Sequence, residues 1–393
     1  MKKSILLLAM TTMLTACGTN SNNTTNTKDS EESTVSENEE SSTIDVSELE
    51  CGVYSNPVQV FTSAGSDFKT EVADPTVVRD PDTGTFYSFS TDRVLLSSDD
   101  GCIWSVYAQG DNVINMPTWG EEVQPGKSVN LWAPDVVKLG DTWYYFYSLS
   151  GWGSPCGIGY GTSDNIAGPY VDQGRLFSCD DIGIYNCIDP QVVVDDVTGD
   201  IWCVVGSFQG EYMVQLDQED DGTISVYGGM DYQNDNKILI AGTPSASWDG
   251  SQYEGSYIIK KGEYYYYFGS SGSCCEGQSS SYQVRVGRSK SITGPYVDSK
   301  GIALTQSHGG TTYGEIVVWA GVNNKNIAGP GHNSIVIDDA GDYWLYYHSY
   351  SNLDSFGTRH LFMDKLVWND NGYPSVEGKK PSFQEEKDGP RIK

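Results

Sequence analysis

The chain has 393 residues, enough for one large β domain or two ordinary ones. Its formal net charge is −29, from 53 acidic against 24 basic residues. So acidic a surface repels nucleic-acid phosphates and polyanions, which leaves a neutral partner and no nucleic acid.

The first segment, MKKSILLLAMTTMLTAC, carries two lysines, an apolar stretch from Ile5 to Leu14 and then Thr15-Ala16-Cys17. The apolar stretch is too short to span a bilayer as a helix and has the layout of an export signal. Leu14-Thr15-Ala16-Cys17 resembles a bacterial lipobox, which predicts a signal peptide over 1–17, lipidation of Cys17, and export to the outer face of a bacterial membrane or secretion. Residues 18–50 are Ser, Thr, Asn, Asp and Glu with almost nothing apolar, so they are expected to be a disordered tether. Membrane contact is then expected only through the lipid. The folded domain is expected over 51–376 and a frayed polar tail over 377–393, with a monomer as the expected state.

Within the domain a pattern recurs five times: a polar or aromatic residue, a run of β-formers, a turn, and an aromatic-rich strand. The segments open at Asp74 (DPTVV), Trp132 (WAPDVV), Asp189 (DPQVVV), Glu254 (EGSYII) and His332 (HNSIVI), spaced 58, 57, 65 and 78 residues apart. Each reads as an antiparallel hairpin. Further β-like runs, Arg93–Ser97, Tyr212–Leu216 and Gln283–Arg288, bring each unit to three or four strands. Units this small cannot bury a core alone, and uneven spacing with long loops suits radial closure better than linear stacking. The expected fold is all-β, a five-bladed β-propeller. Equivalent starts of five inner strands converge on one mouth of its channel, so Asp74, Trp132, Asp189, Glu254 and His332 are expected to meet there. The segment from Gly301 to Gly329 is a candidate lid over that mouth.

Beyond Cys17 there are eight cysteines, an even number suited to disulfides in an exported chain. Cys179 and Cys187 are near enough in sequence to close a short loop ahead of Asp189, but eight cysteines allow 105 pairings and the sequence does not choose among them. Cys274-Cys275 has no second pair or His cluster to make a metal motif and is read as structural. Of the 26 tyrosines and ten tryptophans most serve strands and packing, as in Tyr264–Tyr267. Trp132 stands apart because it shares the position of the acids.

Three carboxyls at one channel mouth suit hydrolysis of a glycosidic bond. One carboxylic acid protonates the leaving oxygen, a carboxylate activates water, and a third raises the pKa of the acid by like-charge repulsion. A gap of roughly 6.5–9.5 Å between acid and base leaves room for the water and inverts the anomeric carbon.

Ala73-Asp74-Pro75, Trp132-Ala133-Pro134-Asp135, Ile188-Asp189-Pro190, Glu254-Gly255 and Gly329-Pro330-Gly331-His332-Asn333 resemble the blade motifs of glycoside hydrolase family 43. The resemblance covers Val72 to Pro374. It is nearest to the arabinan endo-1,5-α-L-arabinanases, through Cys274-Cys275, Val286-Gly287-Arg288-Ser289, Ile292-Thr293-Gly294-Pro295-Tyr296 and the GPGHN segment. It implies a five-bladed inverting enzyme acting on arabinan, with Asp74 as general base, Glu254 as general acid and Asp189 orienting the acid and raising its pKa. It further implies that Trp132 forms a sugar-binding wall, that Asn186, Ser207 and Arg359 touch substrate, and that His332 sits by a calcium ion in the channel. Ala73, where arabinanases have His, and Tyr253-Glu254-Gly255-Ser256 are closer to exo-acting α-L-arabinofuranosidases and β-xylosidases. Exo action and a non-catalytic glycan-binding propeller are the alternatives.

Overall fold

A computed structural model describes residues 49–393 except 68–70, 124, 127, 152–155 and 245–251. The signal segment, Cys17 and nearly all of the tether lie outside the described residues. Five sheets follow one another along the chain and form the five blades of a β-propeller. Their innermost strands are Thr76–Arg79, Asn130–Leu139, Gln191–Val194, Tyr253–Lys261 and Ile327–Ile337, here the inner strands of blades 1 to 5.

Local chemistry accounts for the hairpins. In blades 2 and 4 the first two strands are joined by two-residue turns, Gly140-Asp141 and Gly262-Glu263, whose glycines adopt φ +62° and +59°. Positive φ costs glycine nothing, and it matches the twist of a tight hairpin.

No blade has a core of its own. The buried apolar side chains form five clusters, each between two neighbours: Phe89 and Leu95 of blade 1 against Leu131 and Tyr145 of blade 2, then blades 2 and 3, 3 and 4, 4 and 5, and 5 and 1. Burying one such large side chain contributes about 1.5–3 kcal/mol, so an open blade edge would forfeit many of these at once. Backbone N–H groups add a second link at the inner strands. Val77 N–H donates to Ser334 Oγ at 2.9 Å, Val192 N–H to Asp135 Oδ2 at 2.7 Å and Ile258 N–H to Gln191 Oε1 at 2.8 Å.

Blade 5 has three strands, and the N-terminal segment lies along its outermost strand, Arg359–Lys365. Val58 N–H donates to Leu361 O at 3.0 Å, while the Asn56 amide donates to Met363 O at 2.7 Å and accepts from Met363 N–H at 2.9 Å. Glu50–Tyr54 then pairs with Lys387–Ile392. The polar tail after 376 is therefore ordered as part of the ring closure and does not fray, because its backbone groups find partners in the N-terminal strand.

Two other expectations change. The Gly301–Gly329 segment supplies Glu315–Trp319, the outer strand of blade 4, and the first residues of the blade 5 inner strand, so part of it belongs to the blades. The disulfide at the blade 2 edge is Cys156–Cys179, with Cys187 beside it as a buried thiol. Cys179 N–H donates to Cys156 O at 3.0 Å, so proximity across the sheet edge prevails over proximity in sequence.

Candidate active site

One backbone feature places the site. Asp74, Ala133, Asp189, Gly255 and His332 are all left-handed, with φ of 52°, 44°, 60°, 58° and 49°. Two residues later each inner strand enters regular pairing, at Thr76, Asp135, Gln191, Tyr257 and Ser334. These five are the equivalent positions. The register of the repeat is thereby corrected: Trp132 and Glu254 stand one residue earlier than Asp74, Asp189 and His332. Asp and His tolerate the left-handed region better than most residues.

The N–H of each left-handed residue is directed at the second strand of the preceding blade. Asp74 N–H donates to His348 Nδ1 at 3.0 Å, Ala133 to Thr91 Oγ1 at 3.0 Å, Asp189 to Ser148 Oγ at 2.8 Å and His332 to Ser270 Oγ at 2.8 Å. In blade 3 the same second-strand position is Gly206, which has no side chain to accept. The Gly255 N–H donates to the Asp189 carboxylate instead.

Asp74, Trp132, Asp189, Glu254, His332 and Arg359 line one cleft of about 590 Å³, together with Phe208 and Cys274-Cys275. Cys274 and Cys275 are disulfide-bonded to each other at its wall. Ser207 is fully buried behind the cleft and donates to Glu254 Oε2 at 2.7 Å. Asn186 does not reach the lining: its Oδ1 lies 3.6 Å from Cys156 Sγ.

Asp74 is surrounded by donors and positive charge. Its Oδ2 accepts from Thr91 Oγ1 at 2.5 Å, and its Oδ1 lies 3.3 Å from each of Arg359 Nη1, His332 Nδ1 and His348 Nδ1. Arg359 is held in turn by Glu71, its Nε donating to Oε1 at 2.8 Å. Burial alone would raise the Asp74 pKa, but the Arg359 and His332 charges and the hydrogen bonds outweigh it and hold the carboxyl well below the usual carboxylate range.

The other two carboxyls go the opposite way. Burial raises Asp189 to about 8, with His332 opposing and the Glu254 and Asp74 charges adding to the rise. Burial also raises Glu254, although Ser207 and Tyr282 hydrogen-bond its charged form. The two titrate together, so the pair holds a proton near neutrality. Burial would lower the His332 pKa, but the Asp74 and Asp189 carboxylates at 3.3 and 3.9 Å lift it to about 9. His348, fully buried and stacked on Tyr282, is pushed down to about 4 by burial and stays neutral.

These charge states bear on the expected calcium. The His332 Nδ1 carries its proton between two carboxylates, which leaves no lone pair there. His348 Nε2 is buried without a hydrogen-bond partner among the described residues. In the neutral His348 ring Nδ1 accepts the Asp74 N–H, so the proton sits on Nε2, and neither imidazole offers a lone pair to a channel cation.

Sequence reasoning missed Thr91, Tyr282, His348 and Glu71. Thr91 and His348 share the second-strand position of Ser148, Gly206 and Ser270, so carrying the repeat one strand further would have found them. Tyr282 depends on Gly331, where a Cβ would stand 2.1 Å from the tyrosine ring.

Residues 72–374 match the family model "Glycosyl hydrolases family 43". An extracellular exo-α-(1→5)-L-arabinofuranosidase of Cellvibrio japonicus is 33% identical over 322 residues, covering 79% of this chain and 88% of that protein. An extracellular endo-α-(1→5)-L-arabinanase of Bacillus subtilis is 29% identical, covering 77% and 86%. Among solved structures, the α-L-arabinanase of Cellvibrio cellulosa complexed with arabinohexaose superposes with a TM-score of 0.66 at 31% identity, covering 79% of this chain and 97% of that one. The GH43 endo-arabinanase of Bacillus licheniformis gives 0.61 at 28% identity, covering 78% and 97%. With its propeller and a family match over most of its length, the chain belongs to glycosyl hydrolase family 43.

Proposed function

We propose that this glycosidase cleaves α-1,5-linked L-arabinan in endo fashion with inversion of configuration. Asp74 is the general base, Glu254 the general acid, and Asp189 the carboxyl that keeps Glu254 protonated. The observation that carries this reading is the opposite treatment of the carboxyls: Asp74 is held ionised by Arg359, His332 and Thr91, while Glu254 and Asp189 are buried together and retain a proton. An ionised base and a protonated acid at one pH are what single-step displacement by water needs. His332 joins the two halves as a cation between Asp74 and Asp189. Trp132 and the Cys274-Cys275 wall offer apolar surface to sugar rings, and Arg359 holds Asp74 in place.

Proton NMR of the first sugar released from linear arabinan, recorded before mutarotation, tests the mechanism. Initial retention of configuration would overturn the assignment of Asp74. Exo action is the second reading, favoured by the activity for which the Cellvibrio japonicus relative is named. A rapid fall in viscosity at low conversion supports endo cleavage, and accumulation of one short product from the first turnover supports exo cleavage. For location we infer export with lipid attachment at Cys17. Metabolic labelling with a palmitate analogue tests it: loss of label in Cys17→Ala agrees, and label retained overturns it.

A further inference from the structure

Glu211 opens the third strand of blade 3, Glu211–Gln218, and is fully buried, yet nothing above uses it. Its Oε2 accepts a hydrogen bond from Ser256 Oγ at 2.5 Å, and Ser256 Oγ lies 3.0 Å from Tyr267 OH. Its Oε1 has no hydrogen-bond partner among the described residues. That oxygen packs under Gly206, where a Cβ would stand 3.1 Å from it and 2.2 Å from Gly210 O. The carboxyl is thus wedged between two stretches of backbone. One is the turn Gly206–Gly210, which delivers Ser207 to Glu254 and Phe208 to the cleft. The other is Glu254-Gly255-Ser256, which carries the acid itself and the N–H that Asp189 accepts.

The turn also makes backbone bonds from Gly206 N–H to Ile188 O at 3.0 Å and from Phe208 N–H to Tyr253 O at 2.9 Å. Neither joins it to the residues after Glu254. Glu211 supplies that join, across the blade 3 to blade 4 seam. The ionisable groups around it are Asp189, Glu254, Tyr267 and Tyr212. Burial first, and then the Asp189 and Glu254 charges, push its pKa well up. A neutral carboxyl is compatible with this seam, whereas a carboxylate facing two other acids there is costly.

We propose that Glu211 is a positioning residue for the general acid, a neutral carboxyl that locks the Gly206–Gly210 turn to Ser256 and thereby fixes Glu254 relative to Ser207 and Asp189. This rests on the reading of Glu254 as the acid. A loosened acid harms poor leaving groups most, because good ones need little protonation. The test compares Glu211→Gln, Glu211→Ala and Glu254→Gln on linear arabinan and on an arabino-oligosaccharide bearing a nitrophenyl leaving group, with circular dichroism melts of each protein.

Glu211→Gln retains the neutral hydrogen-bonding shape, so its kcat is expected within about threefold of wild type and its basic pH limb unmoved. Glu211→Ala is expected to lose about tenfold or more in kcat on arabinan, with KM little changed and a much smaller loss on the nitrophenyl substrate. Glu211→Gln falling as far as Glu211→Ala while melting like wild type overturns the neutral role. Equal losses of Glu211→Ala on both substrates reduce the residue to a structural one and overturn the proposal. If Glu254→Gln itself shows no leaving-group dependence, the acid assignment fails first and takes this inference with it.

Discussion

Asp74 and Asp189 occupy the same position of two blades, share a left-handed backbone and face the same imidazole nitrogen, yet they hold protons oppositely. The difference lies in what surrounds each carboxyl. Beside Asp74 stand Thr91, which donates a hydrogen bond, and Arg359, which carries charge. Beside Asp189 stand Glu254 and the backbone N–H of Gly255, so burial dominates. Residue type and backbone are therefore not sufficient to set the role of a carboxyl. Its neighbours on other blades decide it, by opposing or failing to oppose the desolvation that both acids share.

The largest way to break the comparison is to remove the proton donor. Glu254→Gln keeps the shape, and turnover on linear arabinan should fall by at least ~10²-fold with an unchanged melt. Reducing-sugar assays at matched protein concentration check it, and full activity would remove Glu254 from the mechanism.

Next comes the support of the base. Arg359→Met deprives Asp74 of its strongest positive neighbour, so the Asp74 pKa rises toward the ordinary range. The acid limb of kcat/KM should move to higher pH and the value near neutrality should fall by about tenfold. A pH profile that keeps its acid limb in place would show that Arg359 does not control the base.

Asp189→Asn acts on the other half with the opposite sign. Removing a like charge lowers the Glu254 pKa, so the basic limb should move down by about one pH unit. The same variant bears on stability. The folded pKa values of Asp189, about 8, and His332, about 9, lie above their unfolded values. Their contributions are fully present below the unfolded pKa of each and are lost as pH rises through 8 and 9. Asp74, with its pKa lowered, contributes stability above its unfolded value that is lost in acid. Wild-type Tm should therefore fall from neutrality to pH 9, and Asp189→Asn should flatten that fall. A parallel decline in both proteins would assign it elsewhere.

The smallest effect is expected at Ser207. Ser207→Ala removes a donor to the charged form of Glu254, so the basic limb should move up slightly. One neutral hydrogen bond, about 1 kcal/mol, limits the kcat loss to a few-fold. A shift in the opposite direction would mean that Ser207 stabilises the protonated acid.

Much of this was legible in the chain because propeller blades repeat. The recurrence of DPTVV, APDVV, DPQVV and their relatives marks five inner strands, and alternation of β-formers with Gly-containing turns marks the hairpins. Asp74, Asp189, Glu254, His332 and Trp132 follow from those motifs and Arg359 from the family resemblance, and the structure gathers them in one cleft. The register slipped by one residue at Trp132 and Glu254 because a polar or aromatic side chain was taken as the mark of equivalence. The left-handed backbone at Ala133 and Gly255 is the true mark, and neither residue type announces it.

The sequence by itself determined the number of blades, the hairpin unit and the kinds of groups presented at the channel mouth, since these follow from local periodicity and turn chemistry. Only the tertiary structure decided which carboxyl is ionised, which histidine is charged, how the tail closes the ring, and that Glu211 stands behind the acid. Each of these depends on contacts between blades whose residues lie tens to hundreds of positions apart: Asp74 with Arg359, Gly255 with Asp189, and Glu50–Tyr54 with Lys387–Ile392. Electrostatics and burial act through space, and the distances between blades are set by closing the ring.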